Sequence, residues 1–151
     1  CADATADLIF ASMAFHHFAS PDEAARECRR TLRRAGMVCV RNSLREFGSP
    51  YEAYFPNYAA TLEMLPAADE IIGPFTRNGF RLISQERVPH KMAENLNDLV
   101  AKAALRADTT LQRLADQDFE RGLNNMRLAA RTLPAPVMID IGLFAFDRGD
   151  E

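Results

Sequence analysis

The sequence predicts an α/β fold, and three observations carry that prediction. Between Asp7 and Val40 an apolar run, a proline-started helix and a second apolar run follow in tight succession. Two later segments repeat apolar residues at helical spacing. A last apolar run precedes a polar tail.

Each element follows from local chemistry. Leu8-Ile9-Phe10-Ala11-Ser12-Met13-Ala14-Phe15 is apolar almost without alternation, as a strand covered on both faces of a sheet requires. Ser20 suits a helix N-cap, Pro21 the first helical position, and Glu23 the far corner of a capping box. Gly36 is expected to end that helix, and Met37-Val38-Cys39-Val40 to start a second buried strand. A loop covers 41–50, and an aromatic-rich segment runs from Tyr51 to Leu65, where Pro56 suits a helix start. Pro66 separates it from a helix beginning near Asp69 and stopping at Asn78-Gly79. Phe80 to Val88 is short and mixed in polarity, so it reads as an edge strand.

Leu96, Leu99, Val100, Ala103, Ala104 and Ala107 share one helical face. Phe119, Leu123, Met126 and Ala130 mark a further helix from near Asp116, broken at Leu133-Pro134-Ala135-Pro136. Val137 to Phe146 reads as the last strand, with a polar tail from Asp147 to Glu151. The whole chain, 1–151, is expected to form a single domain with a helical insertion at about 95–133.

Composition narrows the function. The 151 residues are 48% hydrophobic, enough for a packed core. A formal net charge of −3 and a pI near 5.7 give no general electrostatic reason to bind nucleic acid or an anionic membrane. Cysteines at 1, 28 and 39 make no even framework and no C-x-x-C pair, which points to a reducing, cytoplasmic setting and away from structural zinc. No apolar stretch is long enough to span a bilayer, and the first residues lack the form of a signal peptide. Because residue 1 is cysteine and the first strand starts within about ten residues of it, the chain is expected to be truncated or processed at its N-terminus.

Asp7 through Phe18 resembles the fourth strand of class I, S-adenosylmethionine-dependent methyltransferases of the small-molecule type. In that family a Phe-Asp pair leads through apolar residues to a Leu-His-His-like end. Ser20-Pro21 stands where the family has Asp-Pro. Glu27, Arg30 and Leu32 follow its Glu-x-x-Arg-x-Leu pattern, and Arg34-Ala35-Gly36 keeps the last glycine of its Pro-Gly-Gly turn. Asn78-Gly79-Phe80 is similar to the turn before the sixth strand, and Phe144-Ala145-Phe146 to the end of the seventh. The resemblance implies a partial Rossmann-like sheet of strands equivalent to 4, 5, 7 and 6, the last pair antiparallel, with flanking helices. It also implies S-adenosylmethionine as cofactor. The family's glycine-rich loop and ribose-binding carboxylate have no counterpart: the seven glycines are scattered at 36, 48, 73, 79, 122, 142 and 149. The cofactor is therefore expected to serve an intact parent and not to bind this chain alone.

Ligands of open α/β sheets lie beyond the carboxyl ends of the strands. That places Ser12 and Met13 beside the cofactor's methionine end in the resemblance, with Phe15, His16 and His17 adjoining. His16 or His17 serves as a catalytic base or orients an acceptor, or one caps a loop and the other packs in the wall; both readings stand. A metal site is not expected, since no further His or Cys lies at useful spacing. Arg41 and Asn42, just past the second strand, are candidate acceptor contacts. Tyr54, Phe55 and Tyr58, with Tyr51, lie where family members often carry a substrate lid, or they are ordinary packing.

The expected function is methyl transfer from S-adenosylmethionine to a small molecule, with this chain alone inactive. The alternative is a non-catalytic, methyltransferase-like module that binds itself or a partner; a nicotinamide-dependent dehydrogenase is a weaker third reading, since it too needs a glycine-rich loop. With the family's first strand missing, the Leu8–Met13 segment becomes a bare apolar edge, so a homo-oligomer is expected.

Overall fold

The protein is described as a computed structural model covering residues 2–131 and 135–149. In chain order the elements are β1 (Ala6–Ser12), α1 (Pro21–Thr31), β2 (Leu32–Asn42), α2 (Tyr58–Thr61), α3 (Ala68–Arg77), β3 (Arg81–Ala93), α4 (Leu96–Ala104), α5 (Thr109–Gln112), α6 (Asp116–Ala129) and β4 (Val137–Asp147). The chain packs as two compact units. One comprises Cys1–Leu44, Leu65–Val88 and Ile141–Glu151, the other Arg45–Met64 and Pro89–Asp140.

The first unit carries the sheet, in the order β1-β2-β4-β3. β1 runs parallel to β2, with Ile9 opposite Val38 and Ser12 opposite Arg41. β4 is antiparallel to β2, with Val40 opposite Phe144. This is the order expected for strands equivalent to 4, 5, 7 and 6, and it puts β3 at an edge, as its mixed polarity predicts. Val38, Val40, Ile71, Phe75, Phe144 and Phe146 are buried to within 2%, and the Phe75 ring stacks on Phe146 at 4.5 Å.

Ser20 caps α1, its Oγ accepting from the Glu23 N–H at 3.3 Å. The expected capping box is only half made, because the Glu23 carboxylate turns toward Arg26, 3.9 Å away. α3 begins at Ala68 and ends on Asn78. Gly79 follows at φ +80°, a left-handed conformation that glycine adopts without strain.

Two expectations are corrected. The first strand ends at Ser12 and is not covered on both faces: Leu8 is 57% and Phe10 58% exposed. β1 stands at the edge of the sheet with β2 as its neighbour; its Leu8–Phe10 face lies open, while Ile9 and Ala11 on the other face are half-buried. Residues 13–18 instead leave the sheet, Met13 at φ +52° and Phe15–His17 as a 3-10 turn. Secondly, Gly36 does not end α1. The helix stops at Thr31 because the fully buried Leu32 is drawn straight into extended pairing opposite Ala6. Arg33 to Gly36 then bulge out before Met37 resumes the register opposite Leu8. Gly36 is needed there for close approach, since a Cβ would lie 2.8 Å from the Arg33 carbonyl oxygen.

The second unit is helical around buried aromatic and aliphatic side chains. Tyr51, Phe55, Tyr58, Leu99, Leu111, Phe119 and Met126 form its core. Asn95 caps α4, accepting from the Asp98 N–H at 3.0 Å, and Asp108 caps the short α5, accepting from the Thr110 N–H at 2.9 Å. α6 begins at Asp116, as its periodicity predicts. Of the break expected at 133–136, residues 133 and 134 lie outside the described residues. Among the described residues no helix is long and apolar enough to cross a membrane.

Candidate functional site

The parallel pair β1 and β2 ends its two strands side by side, and most of the predicted site residues lie at those carboxyl ends. Where β1 stops, the Met13 N–H donates to the Arg41 carbonyl at 2.7 Å, which keeps the departing chain against the end of β2. The left-handed Met13 then redirects the backbone into the 3-10 turn Phe15–His17, closed by Phe18 N–H donating to the Phe15 carbonyl at 3.1 Å. The Phe15 ring points inward, 3% exposed, against Phe18 and Phe75 at centroid distances of 5.6 and 6.4 Å. It anchors the turn. His16 is half-buried and His17 exposed, their rings 4.0 Å apart.

Across the strand ends, the Arg41 guanidinium donates to Ser12 Oγ at 3.3 Å. Ser43 Oγ, a residue that the sequence reading passed over, donates to Met13 Sδ at 3.9 Å. His16 Nδ1 lies 3.3 Å from Asn42 Oδ1, and Asn42 itself is fully buried. The first unit therefore brings together Ser12, Met13, His16, His17, Arg41 and Asn42. They offer two imidazoles, a hydroxyl, a thioether, an amide and a cation around one strand terminus. Alternation along β2, with Val38 and Val40 inward, is the signal that could have marked Asn42 as buried.

Tyr54, Phe55 and Tyr58 belong to the second unit. Phe55 and Tyr58 are each 3% exposed; Phe55 packs on Tyr51 at 5.7 Å and on Phe119 at 5.9 Å. Tyr58 Oη pairs with Thr110 Oγ1 at 2.7 Å. Burial pushes the Tyr51 and Tyr58 phenols above their ordinary range, so both stay protonated at neutral pH. Tyr54 is half-buried, and its carbonyl accepts from Asn125 Nδ2 at 2.9 Å. Among the described residues no three of His, Cys, Asp and Glu converge to hold a metal ion.

Comparison with known proteins gives the same fold from outside. Residues 1–40 match the family model described as a methyltransferase domain. A search of curated proteins finds no significant match. Among solved structures the chain is similar to a provisionally assigned sarcosine dimethylglycine methyltransferase of Galdieria sulphuraria, at 16% identity and a TM-score of 0.55, covering 99% of this chain and 56% of that one. It is similar to the cyclase SpnF at 16% identity and a TM-score of 0.60, covering 100% and 53%. It is also similar to the geranyl diphosphate C-methyltransferase of Streptomyces coelicolor, solved with Mg2+, geranyl diphosphate and S-adenosyl-L-homocysteine, at 12% identity and a TM-score of 0.50, covering 97% and 48%. The chain thus spans about half the length of these relatives. Likeness at such identity establishes the fold and not the reaction, as a cyclase beside methyltransferases illustrates.

Proposed function

We propose that this chain, which carries the carboxyl-side half of a class I methyltransferase fold, is the acceptor-side portion of an S-adenosylmethionine-dependent methyltransferase acting on a small molecule. The observation that supports it is the strand terminus of β1 and β2. The segment that matches a methyltransferase domain includes β1 and the His16-His17 turn, and the turn sits where open α/β sheets hold their ligands. The chain's residues fit only part of the cofactor. Its scattered glycines supply no loop to cradle the adenosine end, whereas Ser12 and Met13 can border the methionine end.

S-adenosylmethionine supplies an electrophilic methyl group when bound. The work left to these residues is to hold an acceptor in line and to receive its proton, for which an imidazole is suited near neutral pH. His16 or His17 takes that role, with Arg41, half-buried at the end of β2, orienting the acceptor's polar group. Cytoplasmic placement fits the unpaired cysteines. The alternative, a non-catalytic module that associates with itself or a partner, is favoured by the exposed Leu8 and Phe10 and by the lack of a glycine-rich loop.

Calorimetric titration with S-adenosylmethionine separates the two. The full-length polypeptide that the gene encodes should bind saturably and transfer label to small amines or alcohols, while residues 1–151 alone should not bind. Saturable micromolar binding by the isolated chain would show the cofactor site to be misplaced. Absence of binding by the full-length protein would leave the interaction module.

A further inference from the structure

Asn42 is a fully buried amide in a row that otherwise faces the core with Val38, Val40 and Leu44. A buried polar group left without partners is destabilising, and Asn42 has two partners of opposite demand. Its Nδ2 donates to the Ser43 carbonyl at 2.9 Å, and its Oδ1 faces His16 Nδ1 at 3.3 Å. A backbone carbonyl can only accept. Turning the amide over would set Oδ1 against the Ser43 oxygen, so the orientation is fixed from that side. The amide oxygen also only accepts, so the proton of this pair must reside on His16 Nδ1. In a neutral imidazole the other nitrogen, Nε2, is then the one that carries the lone pair.

We propose that Asn42 is a positioning residue that holds His16 as its Nδ1–H tautomer and thereby makes Nε2 the proton-accepting atom of the ring. The use of that atom rests on the methyl-transfer reading. As the acceptor heteroatom forms its bond to the methyl carbon, the carbon–sulfur pair goes to sulfur and the acceptor's proton passes to Nε2. Asn42 touches none of the reacting atoms. Its contribution is to remove the tautomer that neutral histidine favours in water, in which Nε2 carries the hydrogen and cannot accept one.

The tautomer can be read without cofactor or turnover, so its outcome is independent of whether the methyl-transfer reading holds. Long-range proton–nitrogen NMR spectra of the 151-residue chain, labelled at histidine and recorded above the imidazole titration, report which ring nitrogen is protonated; His16→Gln assigns the signal. The expected spectrum shows His16 protonated at Nδ1. Asn42→Leu, which fills the same space without an acceptor, should shift the majority form to Nε2–H, and Asn42→Asp should retain Nδ1–H. A wild-type ring protonated at Nε2, or the same tautomer in wild type and a folded Asn42→Leu, would overturn the proposal. Were the leucine variant not to fold, the wild-type spectrum alone would decide it.

Discussion

Gly122 stands inside α6, where a helix by itself prefers alanine to glycine by about 1 kcal/mol. The packing reverses the sign. A Cβ at this position meets the Phe55 ring, with Cε1 at 2.7 Å and Cδ1 and Cγ nearer still, against an ordinary carbon contact of about 3.5–4.0 Å. Phe55 has little room to yield, because Tyr51, Tyr58 and Phe119 hold it at centroid distances of 5.7, 6.3 and 5.9 Å. Forcing a methyl group into a filled core costs about 1–3 kcal/mol. An added carbon aimed at a ring face belongs in the upper part of that range, so the net effect of Gly122→Ala is a loss of about 1–2 kcal/mol. Urea unfolding should show a lower midpoint with an unchanged slope. In a Phe55→Leu background the alanine penalty should shrink, giving a measurable coupling in the double-mutant cycle. A Gly122→Ala variant as stable as the parent chain would refute the close packing and free Phe55 for another role.

Further outcomes test the site and the sheet. In the full-length protein His16→Ala and His17→Ala should separate base from wall: a catalytic histidine costs about 100-fold or more in kcat, whereas folded variants with full methyl transfer would leave both residues to packing. The bare β1 edge should drive concentration-dependent self-association of the isolated chain, abolished by Leu8→Lys with Phe10→Lys; sedimentation showing a monomer of the parent chain at all concentrations would exclude it. Arg77 donates to Asp22 at 3.0 Å and holds its carboxyl below the ordinary carboxylate range. A carboxyl whose pKa is lowered by folding contributes stability above its unfolded value and loses it as pH falls through its folded one. Asp22→Asn should therefore lower stability slightly at neutral pH, as an exposed pair allows, and converge with the parent chain as pH falls below about 4, flattening the acid limb; an unaltered acid limb would rule out the linkage.

What could be read in the sequence was what short-range chemistry decides. Ser20 caps its helix through a bond to the N–H three residues on, and Asn78-Gly79 stops α3 within its own turn. The spacing of Phe119, Leu123 and Met126 needs only helical geometry to declare a buried face. β1 defeated the same logic because an apolar run does not by itself say which of a strand's faces other elements cover, and Leu8 and Phe10 stand exposed. Gly36 misled for a related reason. The pull of Leu32 toward Ala6 acts across the sheet, and no helix-end rule contains it. At the site, residue types at the strand ends were legible from topology, while the pairing of His16 with Asn42 spans 26 positions and emerges only when β1 and β2 lie side by side.

The placement of β4 between β2 and β3 has a consequence for biogenesis. A ribosome releases both outer partners, then α4, α5 and α6, before their common neighbour exists. Until Phe144 and Phe146 arrive, Val38, Val40 and Phe75 lack the side chains against which they finally pack. Between the completion of β3 at Ala93 and the emergence of β4 from Val137, the nascent chain therefore carries two open strand edges and a half-built core, the kind of exposure that favours misassembly.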